Sequence, residues 1–163
     1  AASVADRLRV GGAEALAVSA SRRIEQDRLR SLFSHKMAAR LAGLGWIGKN
    51  CLLVTRESGP RVRWTTVLTK ARLLPTGGPA EPACGECRRC VETCPVRAFS
   101  GRPFRPEEPL EARFAARKCD DYVNGMTQRM GCRVLCGLCV AVCPHGERRK
   151  GAPLAPRNAA HGG

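Results

Sequence analysis

The chain has 163 residues, ten cysteines, a formal net charge of +14 and few aromatics: two Trp, one Tyr and four Phe. That length holds one compact domain, or a small core with an appended module, and excludes two full-sized domains. The basic surplus suits polyanions such as nucleic acid, acidic proteins or anionic lipid surfaces, but Lys and Arg are scattered and a base-stacking platform is poorly supplied.

At the N-terminus, Asp6, Arg7, Arg9 and Glu14 interrupt what would be the apolar core of a secretory signal. No apolar run approaches the roughly 18 residues of a membrane span. A reducing, cytoplasmic setting is therefore expected, in which clustered cysteines read as metal ligands and not as disulfides. An opening Ala1 in place of Met is what a processed chain, or a part of a longer one, would have. Residues 4–18 and 24–42 carry helix-forming residues, and Ile24, Leu29, Leu32, Phe33 and Met37 keep roughly helical spacing, so helix is predicted there with a break near Gly11-Gly12. On the second helix, His35 reads as a helix-start or solvated residue, with proton donation as the functional alternative. Lys36 and Arg40 share one helical face and read as solvated charges.

Residues 43–50, GLGWIGKN, fit the dinucleotide pattern G-x-G-x-x-G through Gly43, Gly45 and Gly48, and miss the P-loop pattern only because Asn50 follows Lys49. Both nucleotide patterns need a strand before the glycines and a helix after them, so that phosphate meets the helix N-terminus. Here a helix leads in and the strand-like Cys51-Leu-Leu-Val-Thr55 leads out, which argues against either. What remains is a glycine-rich helix-to-strand turn whose Gly43, Gly45, Trp46, Gly48, Lys49 and Asn50 are candidates for contacting a cofactor. Trp46 could cover a flat ring or serve as a packing anchor. Lys49 could contact an anion or lie in solvent.

Residues 51–55 and 61–69 are rich in β-branched and aromatic residues, and Glu57-Ser-Gly-Pro60 between them carries turn chemistry, which predicts a β-hairpin. Residues 74–82 are dense in Pro and Gly and read as a linker. The organisation expected is α+β: a small α/β piece over 1–80, helices then hairpin, followed by a ferredoxin-like domain over 81–146. The tail 147–163 has little to bury and is expected to be disordered.

Nine cysteines lie between Cys84 and Cys143. Cys84-x2-Cys87-x2-Cys90-x3-Cys94-Pro95 has the bacterial ferredoxin spacing, in which three cysteines hold one [4Fe-4S] cluster and the one before proline reaches across to a second. The partner run is Cys136-x2-Cys139-x3-Cys143-Pro144. One cluster would take Cys84, Cys87, Cys90 and Cys143; the other would take Cys94, Cys136, Cys139 and either Cys119 or Cys132, a choice that spacing leaves open. Paired zinc sites are the alternative, but zinc ligands more often come as two C-x2-C pairs a dozen or more residues apart. Two clusters of about −2 each would bring the surplus down to roughly +10.

Taken together, AGLGWIGKN (42–50), LLVT (52–55), VLT (67–69), CGECRRCVETCP (84–95), Cys119 with Tyr122, and CGLCVAVCP (136–144) resemble the epoxyqueuosine reductases and their shorter double-cluster relatives over about residues 34–145. The resemblance implies an α/β cobalamin-binding domain joined to a two-cluster module that delivers electrons to the corrinoid, which reduces an epoxide on a tRNA wobble nucleoside. It also implies that Cys119 is the fourth ligand, leaving Cys51 and Cys132 as free thiols. Full-length members carry an acidic proton donor upstream of the glycines; Leu29 stands at that position here, with Asp27 nearby but out of register.

Three functions follow in order of expectation. The first is electron transfer through two [4Fe-4S] clusters to a redox partner protein. The second is cobalamin-dependent reduction of a tRNA epoxide. The third is RNA binding with clusters in a structural role.

Overall fold

The computed structural model describes residues 1–19, 23–25, 30–31 and 33–146. Leu29, Asp27 and the tail 147–163 lie outside the described residues. The chain is a mixture of helices and small two-stranded sheets. Helix α1 (Ala2–Val10) is followed by strands β1 (Ala15–Val18), β2 (Arg23–Glu25) and β3 (Arg30–Ser31), then helix α2 (His35–Leu41). Next come β4 (Trp46–Ile47), β5 (Leu53–Val54) and β6 (Thr66–Thr69). The cysteine-rich part carries α3 (Arg89–Glu92), α4 (Ala116–Met130) and α5 (Leu138–Ala141). Among the described residues, no helix is long and apolar enough to cross a membrane.

Two expectations about the first half need correcting. The predicted helix over 4–18 stops at Val10, and Ala15–Val18 is a strand, antiparallel to β6 with Leu16 opposite Leu68. The Gly11-Gly12 break ends the helix outright, and the following Ala-Leu-Ala-Val takes the partner that β6 offers. Of the helix predicted over 24–42, the described residues show His35–Leu41 as helix, while Arg23–Glu25 and Arg30–Ser31 pair with each other as strands. Residues 26–29 and Leu32 lie outside the described residues.

The predicted hairpin between 51–55 and 61–69 does not form. β5 turns back on β4, with Trp46 opposite Val54 and Ile47 opposite Leu53, while β6 pairs with β1. The expected turn is present, since Thr55 and Gly59 exchange both backbone hydrogen bonds at 3.0 Å. Pro60 comes next, and without an N–H it cannot extend the ladder. The hairpin that positions the site therefore lies one strand earlier than the β-propensity suggested.

This β4–β5 hairpin is the buried centre. Its strands are too short to stand alone, and both faces are covered. Ile47 and Leu53 pack with Ala39 and Phe104, and with the half-buried Met37 and Trp64. Trp46 and Val54 face the other way and pack with Cys143, Cys84 and Ala80. Alternation along two-residue strands thus divides the core into an aliphatic side and a thiol side. Full burial of Ile47 and Val54 contributes about 1.5–3 kcal/mol each.

Gly45 lets the two strands approach: a Cβ there would collide with the Val54 carbonyl, and its φ of +156° is unfavourable for other residues. Gly45→Ala is expected to destabilise the protein by about 1–3 kcal/mol, the usual cost of overpacking. The check is the urea midpoint of anaerobically prepared protein, and an unchanged midpoint would contradict this packing.

Candidate iron-sulfur site

Three separated pieces of chain, residues 84–94, Cys119 and residues 136–143, bring the cysteines into two groups. The charged neighbours of Cys90 are Cys84, Cys139, Cys143 and Cys87, and those of Cys143 include Cys84 and Cys87. Cys139 faces Cys119, Cys136 and Cys94, and Cys119 faces Cys94 and Cys136. One group is therefore Cys84, Cys87, Cys90 and Cys143; the other is Cys94, Cys119, Cys136 and Cys139. They approach each other at Cys90 and Cys139. Each run keeps most of its thiols and gives its pre-proline cysteine to the other group.

Local structure explains the exchange. Cys87 donates its N–H to the Cys84 carbonyl at 3.1 Å, closing a tight turn before α3, and α3 packs against α5. Phe99 and Phe114 stack at 5.1 Å, and Ala115 N–H donates to the Ala98 carbonyl at 2.8 Å. These contacts pin the start of α4, and Cys119 with it, beside Cys94, which accepts the Ala98 N–H on its sulfur at 3.3 Å. Cys132 lies past the other end of α4, roughly 16 Å of helical rise from Cys119, and is exposed.

A small pocket, partly open to solvent, is lined by Cys84, Cys87, Cys90 and Cys143. Among the described residues, no three His, Cys, Asp or Glu side chains close on a single-ion point. Four of the thiols line this pocket instead. Burial, and after it the neighbouring thiols, push Cys90 up to about 11, and burial followed by Cys119, Cys136 and Cys94 does the same to Cys139. Thiols crowded in this way resist deprotonation until a cationic core balances them, so the donor set fits a thiolate-bound iron-sulfur core.

The glycine-rich turn faces this pocket. Trp46 is buried, meets the His145 ring edge-on at 4.8 Å, and donates its indole N–H to Cys84 Sγ at 3.4 Å. Gly48 lies beneath the same thiol, where a Cβ would stand 3.5 Å from Cys84 Sγ and 2.8 Å from Val54. Lys49 Nζ donates to the Gly85 carbonyl at 2.6 Å. Asn50 accepts the Leu52 N–H at 3.2 Å, which shapes the turn between β4 and β5, and donates to the Cys139 carbonyl at 3.3 Å. Gly43 follows the end of α2 and lies against Gly78, while Gly45 meets Val54. The side chains of Trp46, Lys49 and Asn50 are thus turned to the cysteine loops.

Two basic side chains, Arg40 and Lys36, depart from expectation. Arg40, read as solvated, is 7% exposed, and its guanidinium lies 5.0 Å from the centre of the Phe104 ring. Arg113 lies 4.6 Å from the same ring. Lys36, also read as solvated, donates to the Cys51 carbonyl at 2.9 Å, and burial lowers its pKa, with the Arg113 charge adding to the effect. Helix α2 turns this face inward because Phe104 returns from the cysteine-rich part to cover it, a contact invisible to helical periodicity. His35 is engaged with Thr66 Oγ1 at 2.8 Å. Cys51, buried in a left-handed turn (φ +57°), lies apart from both thiol groups, and burial pushes its pKa up.

Sequence reasoning also missed Arg61. Its guanidinium donates to the carbonyls of Ala141, Cys143 and His145 at 3.0–3.2 Å, fixing the second cysteine run to the turn at 55–60. Nothing in the sequence sets this arginine apart from the other basic residues.

Comparison with known proteins decides the kind of centre. Residues 83–146 match the family described as a 4Fe-4S double cluster binding domain. The chain is epoxyqueuosine-reductase-like. The epoxyqueuosine reductase of Prochlorococcus marinus is 30% identical over 123 residues, covering 72% of this chain and 38% of that protein. That of Gloeobacter violaceus is 34% identical over 141 residues, covering 76% and 41%. An epoxyqueuosine reductase solved with a tRNA-Tyr epoxyqueuosine-modified tRNA stem loop superposes with a TM-score of 0.64 at 22% identity, over 88% of this chain and 36% of that one, a likeness of fold. This reductase-like chain therefore spans well under half of those relatives, and its cofactors are two [4Fe-4S] clusters.

The two polar residues of the turn should differ in weight. Asn50→Ala in the reductase-like chain leaves the Leu52 N–H and Cys139 carbonyl without their partner and is expected to cost about 1–3 kcal/mol. Lys49→Ala removes an exposed bond and should cost no more than about 1 kcal/mol. Thermal unfolding of the two variants under one anaerobic condition tests this, and equal losses would contradict it.

Proposed function

We propose that this chain is an electron-transfer module in which residues 81–146 form a ferredoxin-like domain. Cys84, Cys87, Cys90 and Cys143 would hold one [4Fe-4S] cluster, and Cys94, Cys119, Cys136 and Cys139 the other. The observation that carries this reading is a pocket lined by three thiols of the first run and the pre-proline thiol of the second. Bound clusters supply one-electron chemistry at low potential, tuned by hydrogen bonds to sulfur, by burial and by net charge. The protein holds the two thiol groups next to each other at Cys90 and Cys139, which favours a short path between centres. The partners fitting this role are a redox protein in a reducing, cytoplasmic compartment and an acceptor bound to the remainder of the α/β part, residues 1–80.

Loaded protein is expected to contain eight irons and eight sulfides, four of each for each cluster of the double-cluster domain. Cys119→Ser should lose one cluster's EPR signal on reduction, whereas Cys132→Ser should keep both. A reversed result would exchange the fourth ligand.

A second reading is cobalamin-dependent reduction of a tRNA epoxide, favoured by the named activity of the relatives and by the stem loop bound to one of the solved reductases. The +14 charge suits a tRNA backbone. This reading predicts stoichiometric retention of added cobalamin through anaerobic gel filtration, and affinity for a tRNA stem loop that falls steeply with salt. A chain that retains none functions as the electron-transfer module alone.

A further inference from the structure

Trp46 is the one residue of the glycine-rich turn whose side chain reaches a cysteine sulfur. Its indole N–H points at Cys84 Sγ at 3.4 Å, and its ring is buried against Val54, Cys143 and His145. Three constraints hold it there. The backbone of β4 pairs Trp46 with Val54. Gly48 leaves the space under Cys84 that a side chain would fill. The edge-on His145 ring follows the pre-proline cysteine of the second run.

We propose that Trp46 is a positioning residue that sets the reduction potential of the cluster held by Cys84, through an indole N–H to thiolate hydrogen bond. The inference rests on the ligand reading given above. Adding one electron takes a four-thiolate [4Fe-4S] centre from a charge of about −2 to about −3, and part of that charge falls on the sulfurs. A donor aimed at Cys84 Sγ stabilises the reduced state more than the oxidised one and raises the potential. Burial by the same ring acts the other way, because excluding water disfavours the more highly charged state. The two roles of Trp46 therefore have opposite signs. Loss of the N–H with the ring retained lowers the potential; loss of shielding raises it.

The experiment is an EPR-monitored redox titration with dithionite of the full chain carrying both clusters, compared with Trp46→Phe. A second variant with β-(3-benzothienyl)alanine at position 46 keeps the indole's shape and replaces its N–H with sulfur. Iron and sulfide are counted in each sample. The expected result is eight of each in all three proteins and a shift of one cluster to more negative potential in both variants. The shift should be about tenfold in the reduction equilibrium, ~59 mV for one electron, with the other cluster unmoved. Potentials that stay put or rise in the benzothienyl variant at full iron content would overturn the inference and leave the ligand set standing. A Cys84→Ser protein in which both clusters keep their wild-type signals would overturn the ligand reading, and the inference with it.

Discussion

Everything in this protein hangs on a four-residue sheet. The β4–β5 hairpin contributes only Trp46, Ile47, Leu53 and Val54 as strand, yet each of its two faces packs against residues from both halves of the molecule. One face binds α2 and Phe104; the other binds the thiol loops. The turn joining the strands sends Asn50 to the Cys139 carbonyl and Lys49 to the Gly85 carbonyl, so each cysteine run receives a hydrogen bond from the same few residues. Such short strands derive their order from what covers them, and the loops derive theirs from the hairpin.

The thiol side of the core is unusual in its chemistry. A core cluster of Trp46, Val54 and Cys143, with Cys84 and Ala80 beside it, places two thiols against an indole and an aliphatic side chain. In a chain with so few aromatics, metal-thiolate bonds take over part of the work that apolar area does elsewhere, as in other small metal-bearing domains. Arg61 adds fixed geometry, tying three consecutive odd-numbered carbonyls of the second run to the turn at 55–60.

The aliphatic side carries an unexpected electrostatic feature. Arg40 and Arg113 approach one Phe104 ring, and their Nε atoms find no hydrogen-bond partner among the described residues. Lys36 and the Cys51 thiol lie near the same place, the thiol 3.9 Å from the Arg113 guanidinium. Ring faces partly compensate guanidinium groups removed from water, and Arg tolerates this better than Lys because its charge is spread over a plane. The arrangement holds α2 against the segment that leads into α4.

Some features were legible in the sequence because they are local. Cysteine spacing with a following proline encodes a cubane loop within a dozen residues, and two such runs imply a double-cluster domain. The helix-to-strand order around GLGWIGKN was enough to exclude a phosphate cradle, since that chemistry depends on which element comes first. Spacing could not choose between Cys119 and Cys132; the structure brings Cys119 to Cys94 because the Phe99–Phe114 stack pins the start of α4. Nor could propensity assign strand partners, as residues 51–55 and 66–69 are equally willing to pair with each other, and Pro60 and the competing strands β1 and β4 decided otherwise. Lys36 and Arg40 read as solvated because a charge on a helix face gives no hint of a phenyl ring returning from more than sixty residues away. The sequence by itself determined which chemistry the chain can hold, since ligand type and spacing are properties of short segments. Only the tertiary structure decided which thiols share a pocket and which side chains face them, because those are contacts between segments that no local pattern records.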